Sequence, residues 1–297
     1  MSATLLVHED HTRYIPHDQL FKELIHTFFE EFLEAFFPEV HHHIDFTSIK
    51  PLSGEVFTDL IDGESRKADI VIEAKLKGED TLIIIHVEPQ SYSQPNFHER
   101  MYHYFSLLYN KYRKPILPIA IFSYDEKRNE QNEFTIAFPF FHVLTFNFLL
   151  LELRKMNWRN YLESNNPVAA ALLSKMGYKE NERIKVKIEL LRMLTKMELN
   201  PAKTRLIHSF FEKYLTLNER EEEELMDEIK QLKEGEQILE LPISYEERGI
   251  EKGIKKGIER GIKKVAGELL KEGSSIEFVA KVTHLDREEI ESIRENL

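Results

Sequence analysis

Residues 81–90, TLIIIHVEPQ, set His86, Glu88 and Gln90 at every second position behind an aliphatic run. Alternate side chains of a strand share a face, so these three stand together, with Ile83, Ile85 and Val87 opposite. An earlier stretch, ADIVIEA, puts Asp69, Val71 and Glu73 on one face by the same rule. If the two strands are neighbours, Asp69 and Glu88 converge at one end of the sheet. Burying two carboxylates without partners is expensive. A hard divalent cation is the natural partner, because magnesium takes oxygen ligands and is usually held by one or two carboxylates together with waters and substrate phosphate. Such an ion stabilises charge on a phosphate and lowers the pKa of a bound water, which points to phosphodiester hydrolysis. The plainer reading stays open here. Asp69 begins a strand and Glu88 and Gln90 end one, beside Pro89, a residue that strand ends tolerate.

The elements that would position these residues follow from periodicity. HDQLFKELIHTFFEEFLEAFFPEV places Phe21, Leu24, Ile25, Phe28, Phe29, Phe32 and Phe36 at helical spacing, which predicts one amphipathic helix closed by Pro38. The tract HHH at 41–43 reads as a polar loop, since consecutive residues point different ways and cannot share a ligand. GEVFTDLID, RKADIVIEAKL and DTLIIIHVEPQ, separated by turn compositions, predict a three-strand meander. NFHERMYHYFSLLYNKYRK returns to helical spacing, PILPIAIFSYD reads as an apolar strand, and EFTIAF and HVLTFNFLLLEL as further strands. Arg100 and Tyr104 are one turn apart on that helix. With Lys111, Arg113 and Lys114 they form either a local basic patch or an ordinary solvated face.

Composition bounds the partners. The chain has 297 residues, 20 phenylalanines, no cysteine and a formal charge of −12. It can bury a sizeable core, and it carries neither the apolar run of a membrane span nor the pattern of a secretory signal. A soluble, cytoplasmic protein with no membrane partner is expected. The negative balance argues against general polyanion binding, so any DNA contact must be local.

From about residue 153 the pattern is helical, with NPVAAALLSKM and NPAKTRLIHSFFEKYL each opened by an Asn-Pro cap. An acid-rich stretch at 219–240 precedes a basic one at 246–264, in which Gly-Ile recurs at 249, 253, 257 and 261. A four-residue step turns a helix by about 400°, so both stripes drift by about 40° per repeat and suit a short, steep helix crossing. Interior glycines cost roughly 1 kcal/mol each, so such a helix needs a partner, either another subunit or the acidic run, unless the repeat is a flexible linker. Residues 265–297 read as three short helices with capping-box spacing at Ser274/Glu277 and Asp286/Glu289, similar to a small helix-turn-helix. Its second helix is acidic where a DNA reader is basic, and His284 stands where the turn prefers glycine, so a protein contact is expected. The domains predicted are 1–152, 153–240, the repeat at 241–264, and 265–297.

HDQLFKELI, the strand with Asp69, and HVEPQ after an aliphatic run resemble the PD-(D/E)xK nuclease superfamily. NPVAAALLSKM, LNPAKTRLIHSFFEKYLTLNEREEEE and GIEKG-type tails are similar to its recombination-promoting nuclease and transposase-like branch, and the resemblance covers most of 15–235. It implies an α/β, restriction-endonuclease-like mixed sheet flanked by helices, followed by an all-α region and a helical tail. It also implies a Mg²⁺-dependent DNA endonuclease, with Mn²⁺ a substitute; the repeat helix, which needs a partner, would pair subunits, so a homo-oligomer joined through the C-terminal helices is expected. Asp69 corresponds to the metal-binding aspartate and Glu88 to the acid of (D/E)xK. Gln90 falls where lysine is usual; glutamine can orient a water but brings no positive charge. Lys22, one turn after Asp18 and off the Phe stripe, is expected to supply that charge. Asp18 or Glu23 could add an acid and His86 a phosphate or metal contact, although Asp18 and Lys22 also read as a plain surface pair. A catalytically degenerate fold serving as a DNA tether or protein-interaction module is the alternative.

Overall fold

The computed structural model describes residues 17–52, 55–58, 65–67, 69–79, 81–90, 96–124, 129–242, 261–283 and 285–295. The chain divides into two compact units, Met1–Leu241 and Pro242–Leu297. Among the described residues, no helix is long and apolar enough to cross a membrane.

The Phe-rich segment is three helices rather than one. α1 (His17–Thr27) and α2 (Phe29–Phe36) meet at Phe28, whose φ of −131° and ψ of 46° leave the helical region. Apolar residues flank the break on both sides, so the stripe runs on and hides it. Pro38 does not close the segment. It opens α3 (Pro38–His43) at the first helical turn, where a missing N–H costs nothing. His41, His42 and His43 therefore end a helix, which corrects the expected loop.

The meander also needs correction. Its first strand is β1 (Ile44–Leu52), while β2 (Glu55–Thr58) and β3 (Ser65–Lys67) form a separate two-stranded ribbon. β4 (Ile70–Leu76) pairs antiparallel with β1 and with β5 (Leu82–Gln90). The turn between β4 and β5 is tight enough to hold Gly78 at φ +77°, a left-handed conformation that suits glycine. α4 (Phe97–Tyr112) then crosses over to β6 (Ile116–Phe122), which lies parallel to β5. β7 (Glu133–Phe138) and β8 (Phe141–Asn147) make a second ribbon, and the chain returns as β9 (Leu149–Glu152) parallel to β6. The result is a five-stranded mixed sheet in the order β1-β4-β5-β6-β9, flanked by helices, as the α/β reading expects.

The helices of 153–240 belong to the same compact unit as the sheet. Asn166 caps α5 (Pro167–Leu172) by accepting from the N–H groups of Val168 and Ala169, both at 3.0 Å, and its amide donates to the Glu31 carbonyl at 2.7 Å. One side chain thus ends a helix and fastens it to α2. α6 (Arg183–Lys196), α7 (Pro201–Tyr214), α8 (Glu219–Gln231) and the short α9 (Gly235–Leu239) follow, α7 and α8 opened by the caps of Asn200 and Asn218. Phe210 of α7 meets Phe21 of α1 edge-to-face at 4.8 Å. That contact fixes the residue next to Lys22.

In the second unit a helix over 261–271, which we number α10, packs with α11 (Ile276–Thr283) and α12 (Arg287–Glu295) around Ala266, Val279 and Ile290. Asp286 accepts from the Glu289 N–H at 2.8 Å, as its spacing predicts. At α11 it is Ser275, not Ser274, whose hydroxyl oxygen accepts, from Phe278 N–H at 3.3 Å. Most of the Gly-Ile repeat and His284 lie outside the described residues.

Candidate active site

The antiparallel register pairs Ile70 with Val87 and Val71 with His86, which sets Asp69 opposite Glu88 across the β4–β5 edge. The Asp69 N–H donates to Glu88 Oε2 at 3.4 Å. On β5 the alternation holds as expected: His86, Glu88 and Gln90 are all buried, with Glu88 only 4 % exposed. Central parallel pairing with β6 closes over the strand up to Gln90, and Ser123 N–H donates to the Gln90 carbonyl at 3.0 Å.

Two cations reach this acidic edge. α1 lies against β5 and brings Lys22 Nζ to 2.5 Å from Asp69 Oδ1. α4 brings Arg100, whose Nη2 is 2.5 Å from Gln90 Oε1 and 3.5 Å from Glu88 Oε1. A guanidinium only donates, so the end of the Gln90 amide that meets Arg100 must be its oxygen. The Arg100 guanidinium is itself held over the Phe97 ring at 4.9 Å. His86 Nε2 lies 3.2 Å from Glu88 Oε2, and a carboxylate only accepts, so this nitrogen carries the proton. Its Nδ1 is buried with no hydrogen-bond partner among the described residues, and its ring packs edge-on against Tyr104 at 5.4 Å.

The Glu88 carboxylate is therefore buried, yet the contacts just described to its oxygens run from 3.2 to 3.5 Å. Charge-assisted hydrogen bonds normally close to about 2.7–2.9 Å. A buried carboxylate so loosely met, opposite a second carboxylate, is the donor set a small oxygen-seeking cation takes. Among the described residues no group of three or more His, Cys, Asp or Glu is arranged to hold an ion. Two carboxylates suffice for magnesium, which fills the rest of its shell with water and phosphate oxygens.

The remaining candidates are scattered. Glu23 is exposed on α1, and Asp18 is in its first turn with a side chain outside the described residues. Lys114 pairs with Glu73, while Lys111 lies over the Tyr112 ring and Arg113 over that of Tyr109. Arg100 thus sits with the acids, apart from the three basic residues expected to share its patch. The role it takes on Gln90 was missed in the sequence; the available signal was an arginine on the helix that immediately follows the strand.

The profile of the family described as "Putative transposase, YhgA-like" matches residues 15–205, about two thirds of the chain. The chain belongs to this family. The family is part of the PD-(D/E)xK superfamily, in its recombination-promoting nuclease branch. The matched span runs from α1 into α7 and takes in Lys22, Asp69, Glu88, Gln90 and Arg100. No curated protein and no solved structure matches the chain.

Proposed function

We propose that this family member is a Mg²⁺-dependent DNA endonuclease in which Asp69 and Glu88 hold the ion. The observation that carries the reading is the register that sets these two carboxylates face to face, with Glu88 buried, beside Lys22 and Gln90. When bound, the ion supplies charge stabilisation at the scissile phosphate and an acidified water. The chain's own groups do the rest. Gln90, its amide oxygen held by Arg100, keeps a neutral amide beside Glu88 where it can position a water. Lys22 brings the positive charge that Gln90 lacks, next to Asp69, where it can neutralise charge gathering on a phosphodiester oxygen. His86 donates to Glu88 and keeps that carboxylate aimed. Mn²⁺ should replace Mg²⁺, and DNA is the expected polymer.

One observation favours the second reading, a degenerate nuclease fold that tethers DNA or protein. Lys22 and Arg100 already offset the two acids, and neutralised acids can be kept for stability alone. Metal titration separates the two. Binding at 100 times Kd stabilises by about 2.7 kcal/mol, or a rise of roughly 5–10 °C in melting temperature for a unit of this size. The full chain should show such a rise with Mn²⁺ or Mg²⁺, and Asp69→Asn should show none. Equal, negligible shifts in both would leave the tether.

A further inference from the structure

The β7–β8 ribbon ends in the sequence FPFFHV, residues 138–143, where Phe138, Phe140, Phe141 and Val143 all point into solvent, Phe140 with 87 % of its surface exposed. Phe138 and Phe140 stack with ring centres 5.7 Å apart. Three such rings leave about 400 Å² of aromatic surface uncovered, at 150–250 Å² per ring. A patch of that size on a protein surface marks an interaction site.

The same ribbon lines an open groove. Leu144 and Phe146 of β8 face Tyr102, Phe105 and Tyr109 of α4 around an open cavity of about 510 Å³, floored by Ile116. Its walls are aromatic, and Tyr109 is among the exposed large side chains. Phenylalanine edges meeting such ring faces is the preferred geometry of aromatic pairs.

Charge selects the occupant. Residues 133–147 contain no lysine or arginine; Glu133 and His142 are their only ionisable groups. A ribbon that enters DNA or an anionic membrane brings cations to the phosphates, and this one brings none. The surface that matches an uncharged Phe tip is an uncharged aromatic groove, and the chain carries both.

We infer that the chain forms a two-fold dimer in which the Phe140–Phe141 tip of each ribbon enters the α4–β8 groove of the other copy. Tip and groove lie on one ribbon: from Phe141 to Leu144 and Phe146 along β8 is about 10–17 Å at roughly 3.3 Å per residue. Two ribbons lying antiparallel about an axis midway between them exchange both contacts at once, and the assembly closes at two. A tip and a groove of equal area bury about 800 Å² per protomer, which is the size of a standard specific interface. The inference does not depend on the nuclease reading.

Sedimentation of the full chain across the micromolar range tests it. The wild type should be a dimer. Phe140→Ser/Phe141→Ser, which alters only exposed side chains, and Ser106→Trp, which fills the groove, should each weaken dimerisation by about 100-fold or more, because each removes two symmetry-related hot spots. Mixing the two variants should give heterodimers tighter than either variant's homodimer and weaker than the wild type, since the intact tip of one fits the intact groove of the other and regains one of the two contacts. A monomeric wild type would overturn the inference, and so would its Phe140-dependent sedimentation with phosphatidylcholine vesicles. Tip variants that dimerise as the wild type does, or mixtures that associate no more tightly than either variant alone, would overturn it as well.

Discussion

Glu88→Gln is expected to lower DNA cleavage by about 10²–10³-fold or more while leaving the fold intact. The substitution keeps the shape and an oxygen that can still accept from His86 Nε2, 3.2 Å away in the native site. What it removes is the negative charge, and with it the pull on a divalent ion. Loss of one preorganised electrostatic group costs on the order of 2.7–4 kcal/mol of transition-state stabilisation. The effect should fall on kcat, with KM for DNA nearly unchanged, because the interaction matters most as charge develops on the phosphate. Melting temperature should move little. The amide removes a desolvated charge from a site that is 4 % exposed, while Arg100 loses an attraction acting at 3.5 Å. A variant that unfolds would instead assign Glu88 to the architecture.

Lys187→Ala should destabilise the first unit by about 3–5 kcal/mol, the typical consequence of leaving a buried charge without its partner. Lys187 is fully buried on α6, with Nζ 2.8 Å from Glu212 Oε1 on α7 and 2.9 Å from Glu222 Oε1 on α8. One ammonium therefore ties three helices. Its removal leaves Glu212, whose side chain is 6 % exposed, with His208 Nε2 at 3.6 Å in place of an ammonium at 2.8 Å. The deficit should shrink in Lys187→Met/Glu212→Gln/Glu222→Gln, where no charge is left stranded. Chemical denaturation of the two variants beside the wild type reads both effects. The consequence should reach the site, since α7 also supplies Phe210 to Phe21, the neighbour of Lys22. Loosening α7 would free the helix that holds Lys22 against Asp69.

The site was legible in the sequence where a two-residue period reports it. β5 alternates cleanly, and its antiparallel partner carries the second acid in register, so Asp69 and Glu88 follow from pattern alone once the strands are neighbours. The Asn-Pro caps were equally plain, because Asn166 and Asn200 act within three residues of themselves. β1 was missed for a physical reason. It is an edge strand whose residues are mostly half-buried, so neither alternation nor a continuous apolar run marks it. The break at Phe28 was invisible because phenylalanine lies on both sides of it. The contact of Arg100 with Gln90 depends on how α4 crosses the sheet, a tertiary fact that no local period encodes.

Nicking of supercoiled plasmid by the purified full chain tests the central claim most directly. With Mg²⁺ or Mn²⁺ the wild type should convert supercoiled DNA to open-circular and linear forms, and with EDTA it should leave the plasmid untouched. A folded chain that binds the metal and still leaves the plasmid supercoiled under every ion would contradict the nuclease and move the site to the tethering role.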